Sequence, residues 1–296
     1  MTGPTRVVEV GGIRIGGGGP LALIAGPCVL EDRGLVLEVA DEVRAIARRL
    51  DLPVVFKSSY MKDNRSSAEN YRGPGTEKGL ALLAEVRERT GMPILSDVHW
   101  PEQVEAAARV LDVLQIPAYL SQQTELVQAA ARTGKVVNVK KGQFVAPEDM
   151  AAVVGKVESA GSHRLLLTER GSSFGYRRLV CDYRSLAILA GLGYPVVFDA
   201  THIVRLYGTP SRDPLGGERA FIPLLCRAAA GAGVDAFFLE THPDPPRALC
   251  DAASQWPLSR LEGLLREILA IDRARRESES HSRGSQSESR SGGERR

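Results

Sequence analysis

The feature that most narrows what this chain can fold into is an alternation. Eight short apolar runs (Leu21–Ala25, Pro53–Lys57, Pro93–Asp97, Val113–Pro117, Val136–Val139, Leu165–Thr168, Val196–Asp199 and Ala236–Glu240) are separated by helical patterns. The runs have the length and the β-branched and aromatic content of buried strands. After the first run, Leu35, Val36, Val39, Val43, Ile46, Ala47 and Leu50 recur at helical spacing and draw one apolar stripe. At the far end, Ser259 with Glu262 three residues on reads as a capping box that opens a helix through Leu261, Leu264, Leu265 and Ile268. Eight such pairs over roughly 250 residues fit an α/β fold of the (β/α)8 TIM-barrel type. A doubly wound open sheet competes, but it asks for a glycine-rich dinucleotide turn after the first strand. Here Gly16 to Gly19 precede that strand and read as a connector. Val7–Val10 and Ile13–Ile15, joined by Gly11–Gly12, predict a short N-terminal β-hairpin over 7–15. The expectation is one barrel over residues 1–271.

Of the 296 residues 43% are apolar, enough for a sizeable core and too many for a disordered chain. No apolar run approaches the ~20 residues of a membrane span. MTGPTRVVEV has neither the basic nor the apolar half of a signal peptide. Cys28, Cys181, Cys226 and Cys250 lack the close pairing of a disulfide framework, which points to the cytoplasm. From Asp272 onward Ser, Arg, Glu and Gly dominate, and the composition predicts a disordered tail over 272–296. That tail holds seven arginines against five acids, a surplus of two. The whole chain carries +2, so the remainder balances to zero. Nothing global attracts nucleic acid, and any anion site must be local.

One stretch suggests where such a site lies. Val54–Val55–Phe56 runs straight into a polar loop with three cations, Lys57, Lys62 and Arg65, among Ser58, Ser59, Asn64, Ser66 and Ser67. Alone, this could be a solvated basic loop. In a barrel, however, the carboxyl ends of all eight strands share one mouth, where enzyme chemistry sits. The residues there are Cys28; Lys57, Lys62, Asn64 and Arg65; Asp97 and His99; Gln115; Lys140; Arg170; His202; and Glu240. Strand ends closed for structure alone would favour apolar residues, and buried charges need partners. Lys57, Lys62, Arg65, Lys140 and Arg170 form a cationic set large enough for two phosphate groups. Cys28, His202, Glu240 and Asp251 mix S, N and O donors, which suits a divalent transition metal better than Mg2+ alone. Cys181 and Cys226 read as small buried hydrophobes.

The segments IAGPCVLED, FKSSYMKDNRSS, YRGPG, LQIPAYL, NVKKGQF, LTERGSSFGY, VFDATH and ETHPDP–ALCDAASQWPL stand in that order between about Leu21 and Leu265. Together they resemble the 3-deoxy-D-manno-octulosonate 8-phosphate synthases. The related DAHP synthases, which use erythrose 4-phosphate, carry a Lys-Pro-Arg-Thr type loop. Here Lys62–Asp63–Asn64–Arg65–Ser66 is closer to the Lys-Ala-Asn-Arg-Ser loop. The resemblance implies condensation of phosphoenolpyruvate with arabinose 5-phosphate and release of inorganic phosphate, a step towards lipopolysaccharide. It assigns Lys57, Lys62, Gln115, Lys140 and Arg170 to phosphoenolpyruvate, and Asn64, Arg65 and Ser66 to the aldose phosphate. Cys28 in the Gly-Pro-Cys turn implies the metal-dependent class, with His202, Glu240 and Asp251 completing the ligands of an iron, zinc or manganese ion. Lys57, Lys62, Asp97, His99, Lys140, His202 and Asp251 are then the candidate catalytic residues, and a homotetramer is implied.

Two positions depart from that pattern. Gln122 stands where Arg is usual before Gln-Thr-Asp, and Leu215 stands where Ser usually precedes the double glycine Gly216–Gly217. Both leave room for another phosphorylated aldose as acceptor. A Schiff-base aldolase using Lys57 or Lys140 is a second enzymatic reading, and borohydride trapping would reveal it. A non-catalytic sugar-phosphate binder is the third.

Overall fold

The computed structural model describes residues 4–63, 69–174, 177–210 and 212–291. Eight parallel strands close into a ring: β1 (Ala22–Gly26), β2 (Val54–Lys57), β3 (Ile94–Asp97), β4 (Val113–Ile116), β5 (Val136–Lys140), β6 (Leu165–Glu169), β7 (Val196–Asp199) and β8 (Ala236–His242). Each pairs with the next, and β8 pairs with both β7 and β1, with Phe198 opposite Phe237 and Glu240 opposite Gly26. The helices α1 (Arg33–Arg49), α2 (Thr76–Thr90), α3 (Pro101–Val110), α4 (Thr124–Arg132), α5 (Met150–Ser159), α6 (Arg184–Gly191), α7 (Ile222–Ala232) and α8 (Leu261–Ser291) each follow the strand of the same number. The (β/α)8 expectation is borne out.

Because side chains alternate across a strand, each strand feeds two cores. The outward set, such as Leu23, Phe56, Leu114, Val139, Leu167, Phe198 and Leu239, packs with the helical stripes in the larger core. The inward set is Ala22, Ile24, Val55, Leu95, Val113, Val136, Leu166, Val197, Ala236 and Phe238. The hairpin plugs this inner core from below with Val8, Val10 and Ile15. Its turn is Gly11–Gly12, both at positive φ (52° and 85°), as a tight two-residue hairpin requires. The plug closes the amino end of the barrel, so the open mouth is at the carboxyl end.

Two expectations at the C-terminus change. A 3-10 turn, Leu258–Arg260, precedes α8, and the Glu262 carboxylate accepts bonds from Arg49 and Arg266. It therefore serves ion pairs rather than the expected capping box. The chain is also helical through Ser291, well past Asp272, where composition predicted disorder to begin. Asp272 is buried and accepts bonds from Arg275 and Arg276, and Arg276 also reaches the Gly18 carbonyl at 2.7 Å. Ion pairs one turn apart support a helix that apolar periodicity alone would not reveal. Residues 292–296 lie outside the described residues.

Candidate active site

The period of two that builds the core also builds the mouth. Two residues beyond each apolar inward residue of β2–β8 stands a polar one: Lys57, Asp97, Gln115, Asn138, Thr168, Asp199 and Glu240. Lys140 and Arg170 continue the same faces. All nine are buried. On β1 the equivalent position is Gly26, where a Cβ would meet the Lys57 carbonyl oxygen at 2.1 Å. Only glycine lets the Gly26–Pro27–Cys28 turn lie this close to β2.

A hydrogen-bonded chain crosses four strands. Thr168 Oγ1 donates to Asn138 Oδ1 at 2.6 Å, Asn138 Nδ2 donates to Gln115 Oε1 at 2.9 Å, and Gln115 Nε2 donates to Asp97 Oδ1. Ser59 Oγ donates to the other Asp97 oxygen, and Lys62 Nζ stands 3.4 Å from it. Burial opposes ionisation of Asp97, but Lys62 and Lys57 outweigh it and hold this carboxyl well below the usual range. The stability linked to Asp97 is therefore present above its unfolded pKa of about 3.9 and lost as pH falls through the lower folded value. We expect the urea midpoint of unfolding to drop below about pH 4, and Asp97→Asn to flatten that limb while lowering stability at neutral pH. An unchanged acid limb in the variant would remove Asp97 from this role.

The metal-type donors converge. Cys28 Sγ lies 3.4 Å from Asp251 Oδ2, and His202 Nε2 lies 3.6 Å from both Glu240 Oε2 and Asp251 Oδ2. Cys28, Cys250 and Asp251 form one compact donor group and His202, Glu240 and Asp251 another, with donor atoms within 4.8 Å in each. Asp251 adopts a left-handed backbone, φ 50°, a strained choice for a residue other than glycine. Arg205 donates to its other oxygen. Burial, then the neighbouring Cys250 thiol, raises the Cys28 pKa. Glu240 is also opposed by burial, yet His202, Lys57 and Lys62 lower it to about 2. Its Oε2 has no hydrogen-bond partner among the described residues. An ionised oxygen that accepts no hydrogen bond among the described residues, close to an imidazole and a thiol, fits a divalent transition metal.

Three lysines of the mouth are paired with carboxylates. Lys57 donates to Glu240 and to the Cys28 carbonyl, Lys62 faces Asp97, and Lys140 bonds Asp199. Burial lowers the Lys140 pKa against the opposing pull of Asp199. Asp199 also faces His202 Nδ1 at 2.8 Å, an arrangement that fixes the imidazole with Nε2 towards the other donors. Arg170 differs. It bonds the Tyr207 hydroxyl at 2.8 Å, and among the described residues no carboxylate lies within ion-pair distance. With Lys62, Asp97, Gln115, Lys140 and His202 it lines a small cavity at the mouth. A wider cleft, lined in part by Arg14, Arg44 and Arg48, lies beside the hairpin at the opposite end.

The model of the DAHP synthetase I family matches residues 5–274. The chain belongs to this family. It is 55% identical over 265 residues to the 2-dehydro-3-deoxyphosphooctonate aldolase of Syntrophotalea carbinolica, covering 90% of this chain and 95% of that protein. Proteins of the same name from Desulfatibacillum aliphaticivorans and a Geobacter species are each 52% identical, over 271 and 268 residues. They cover 91% and 90% of this chain, and 99% and 98% of their own lengths. The resemblance drawn from the motifs is borne out.

Measured against the sequence reading, this family member brings Cys28, Lys57, Lys62, Asp97, Gln115, Lys140, Arg170, His202, Glu240 and Asp251 to one mouth. His99 stands at its rim, its Nε2 accepting from the Asp63 amide at 3.4 Å, and burial lowers its pKa. Asn64, Arg65 and Ser66 lie outside the described residues. The departures Gln122 and Leu215 are exposed and outside the buried ring. Sequence reading missed Asp199, Asn138, Thr168, Arg205, Tyr207 and Cys250. Counting the inward period from Val197, Val136 and Leu166 would have found the first three. The others sit on loops and carry no such signal.

Proposed function

We propose that the chain condenses phosphoenolpyruvate with arabinose 5-phosphate and water to give 3-deoxy-D-manno-octulosonate 8-phosphate and inorganic phosphate. The observation that carries this is the cationic ring, in which Arg170 has no carboxylate within ion-pair distance among the described residues, together with the Cys28, His202, Glu240 and Asp251 donors. The relatives' shared name, over nine-tenths of the chain, supports arabinose 5-phosphate as the acceptor. In this reading Arg170, Lys140, Lys62, Lys57 and Gln115 hold phosphoenolpyruvate, while Asn64, Arg65 and Ser66 hold the aldose phosphate. Carbon 3 of phosphoenolpyruvate bonds to the aldehyde carbon, water adds at carbon 2, and phosphate leaves by C–O cleavage. Cys28, His202, Glu240 and Asp251 would hold an iron, zinc or manganese ion, which when bound supplies Lewis-acid polarisation or an activated water. Asp199 keeps His202 and Lys140 in place, and Lys140, with its pKa lowered by burial, can release a proton more readily than an ordinary lysine. Asp97 orients Gln115 and Lys62, and His99 steadies the start of the aldose loop.

No helix among the described residues is long and apolar enough to cross a membrane, and we place the enzyme in the cytoplasm, in lipopolysaccharide synthesis. The resemblance drawn from the motifs supports a homotetramer.

Phosphate release from phosphoenolpyruvate across a panel of phosphorylated aldoses tests the proposal. Fastest turnover should come with arabinose 5-phosphate. Preference for erythrose 4-phosphate would move the chain to the DAHP synthase reaction. Covalent trapping by borohydride would instead indicate a Schiff base. Arg65→Ala should raise the KM for the aldose phosphate much more than that for phosphoenolpyruvate. Equal effects would mean that the loop shapes the whole site and does not clamp one substrate.

A further inference from the structure

Cys28 and Cys250 are separated by 222 residues in sequence, yet their sulfurs stand 2.6 Å apart. Both side chains are fully buried and both thiols are free. A disulfide bond is roughly 2.05 Å long, so the gap exceeds it by only about half an ångström. The approach is built by the surrounding chain. The buried Gln255 accepts from the Cys28 amide at 3.2 Å and donates to the Cys250 carbonyl at 2.9 Å, joining the two turns through their backbones. Glu31, three residues after Cys28, accepts from the Leu249 amide at 2.9 Å. These contacts hold the turns together whatever state the thiols are in. The proposed metal reading uses Cys28 and leaves Cys250 without a role.

We infer that Cys28 and Cys250 form an oxidation site, in which a hydroperoxide closes a disulfide that removes Cys28 from the metal donors. One thiol takes an oxygen atom from hydrogen peroxide, giving a sulfenic acid and water. The second sulfur then displaces the sulfenic hydroxyl, which leaves as water with the second thiol's proton, and the S–S bond forms. Two thiols and one peroxide thus become one disulfide and two waters. Coordination of Cys28 to a metal and bonding to Cys250 exclude each other, so a bound metal protects the pair and oxidation blocks metal uptake. The blocked uptake rests on the donor set proposed above; the bond itself does not.

The test treats the metal-free full-length chain with hydrogen peroxide, counts thiols after denaturation and maps peptides without reduction. Two of the four thiols should disappear together, with the Cys28 peptide joined to the Cys250 peptide. Zinc affinity should fall by more than about tenfold, and dithiothreitol should restore both thiols and zinc binding. The zinc-loaded chain should lose these thiols several-fold more slowly. Cys250→Ser should give no joined peptide and keep its zinc uptake after brief treatment. Should that variant not fold, the joined peptide in the unmutated chain still decides. Four intact thiols, or a sulfinic Cys28 with no joined peptide, would overturn the inference. A joined peptide with undiminished zinc uptake would uphold the bond and remove Cys28 from the donor set.

Discussion

Replacing Arg170 by alanine is expected to lower kcat/KM for phosphoenolpyruvate by two to three orders of magnitude, roughly the loss of one charge-stabilising donor from a buried site. Arg170 is buried, bonded to the Tyr207 hydroxyl, and not neutralised by any carboxylate within reach among the described residues. Each charged hydrogen bond it makes to an anion is worth about 1.5–3 kcal/mol, and the planar guanidinium can make two at once. Lysine at this position should recover only part of the rate, because it keeps the charge and loses the two-pronged geometry. Tyr207→Phe should have a smaller effect, since it frees the side chain without removing the charge. Wild-type kinetics in Arg170→Ala would remove this residue from substrate binding.

The second large effect is expected at Cys28. Cys28→Asn removes the only thiol of the four-residue donor set and keeps a polar group of similar size in the Gly26–Pro27 turn. Metal affinity should fall far below that of the unmutated chain, measured by equilibrium dialysis with zinc or manganese. Any remaining activity should be small and indifferent to chelator. The reason is local: burial keeps the free thiol protonated, and a divalent cation is what would draw off that proton. Retained metal affinity in Cys28→Asn would mean that His202, Glu240 and Asp251 suffice and that Cys28 only packs.

The barrel was legible because its signal is repetitive. Eight apolar runs of similar length and the stripe from Leu35 to Leu50 leave few other ways to bury the same residues. The mouth was partly legible for the same reason, since Lys57 and Asp97 close their runs and Lys140 follows one directly. Asp199 was passed over because it closes an apolar run and looks like part of it, although the inward period from Val197 points it at His202. The nearness of Cys250 to Cys28 could not be read at all. It depends on Gln255 joining two turns at opposite ends of the chain. The C-terminal helix misled for the converse reason. From Asp272 onward its sequence lacks apolar periodicity, and the Arg275 and Arg276 contacts to Asp272 extend it by charge.

The most direct test of the central claim is phosphate release from phosphoenolpyruvate and arabinose 5-phosphate by enzyme stripped of metal and then reloaded. The account predicts no release from the stripped enzyme, recovery with iron, zinc or manganese, and no release at any stage without the aldose. Full turnover by enzyme verified to be free of metal would contradict it.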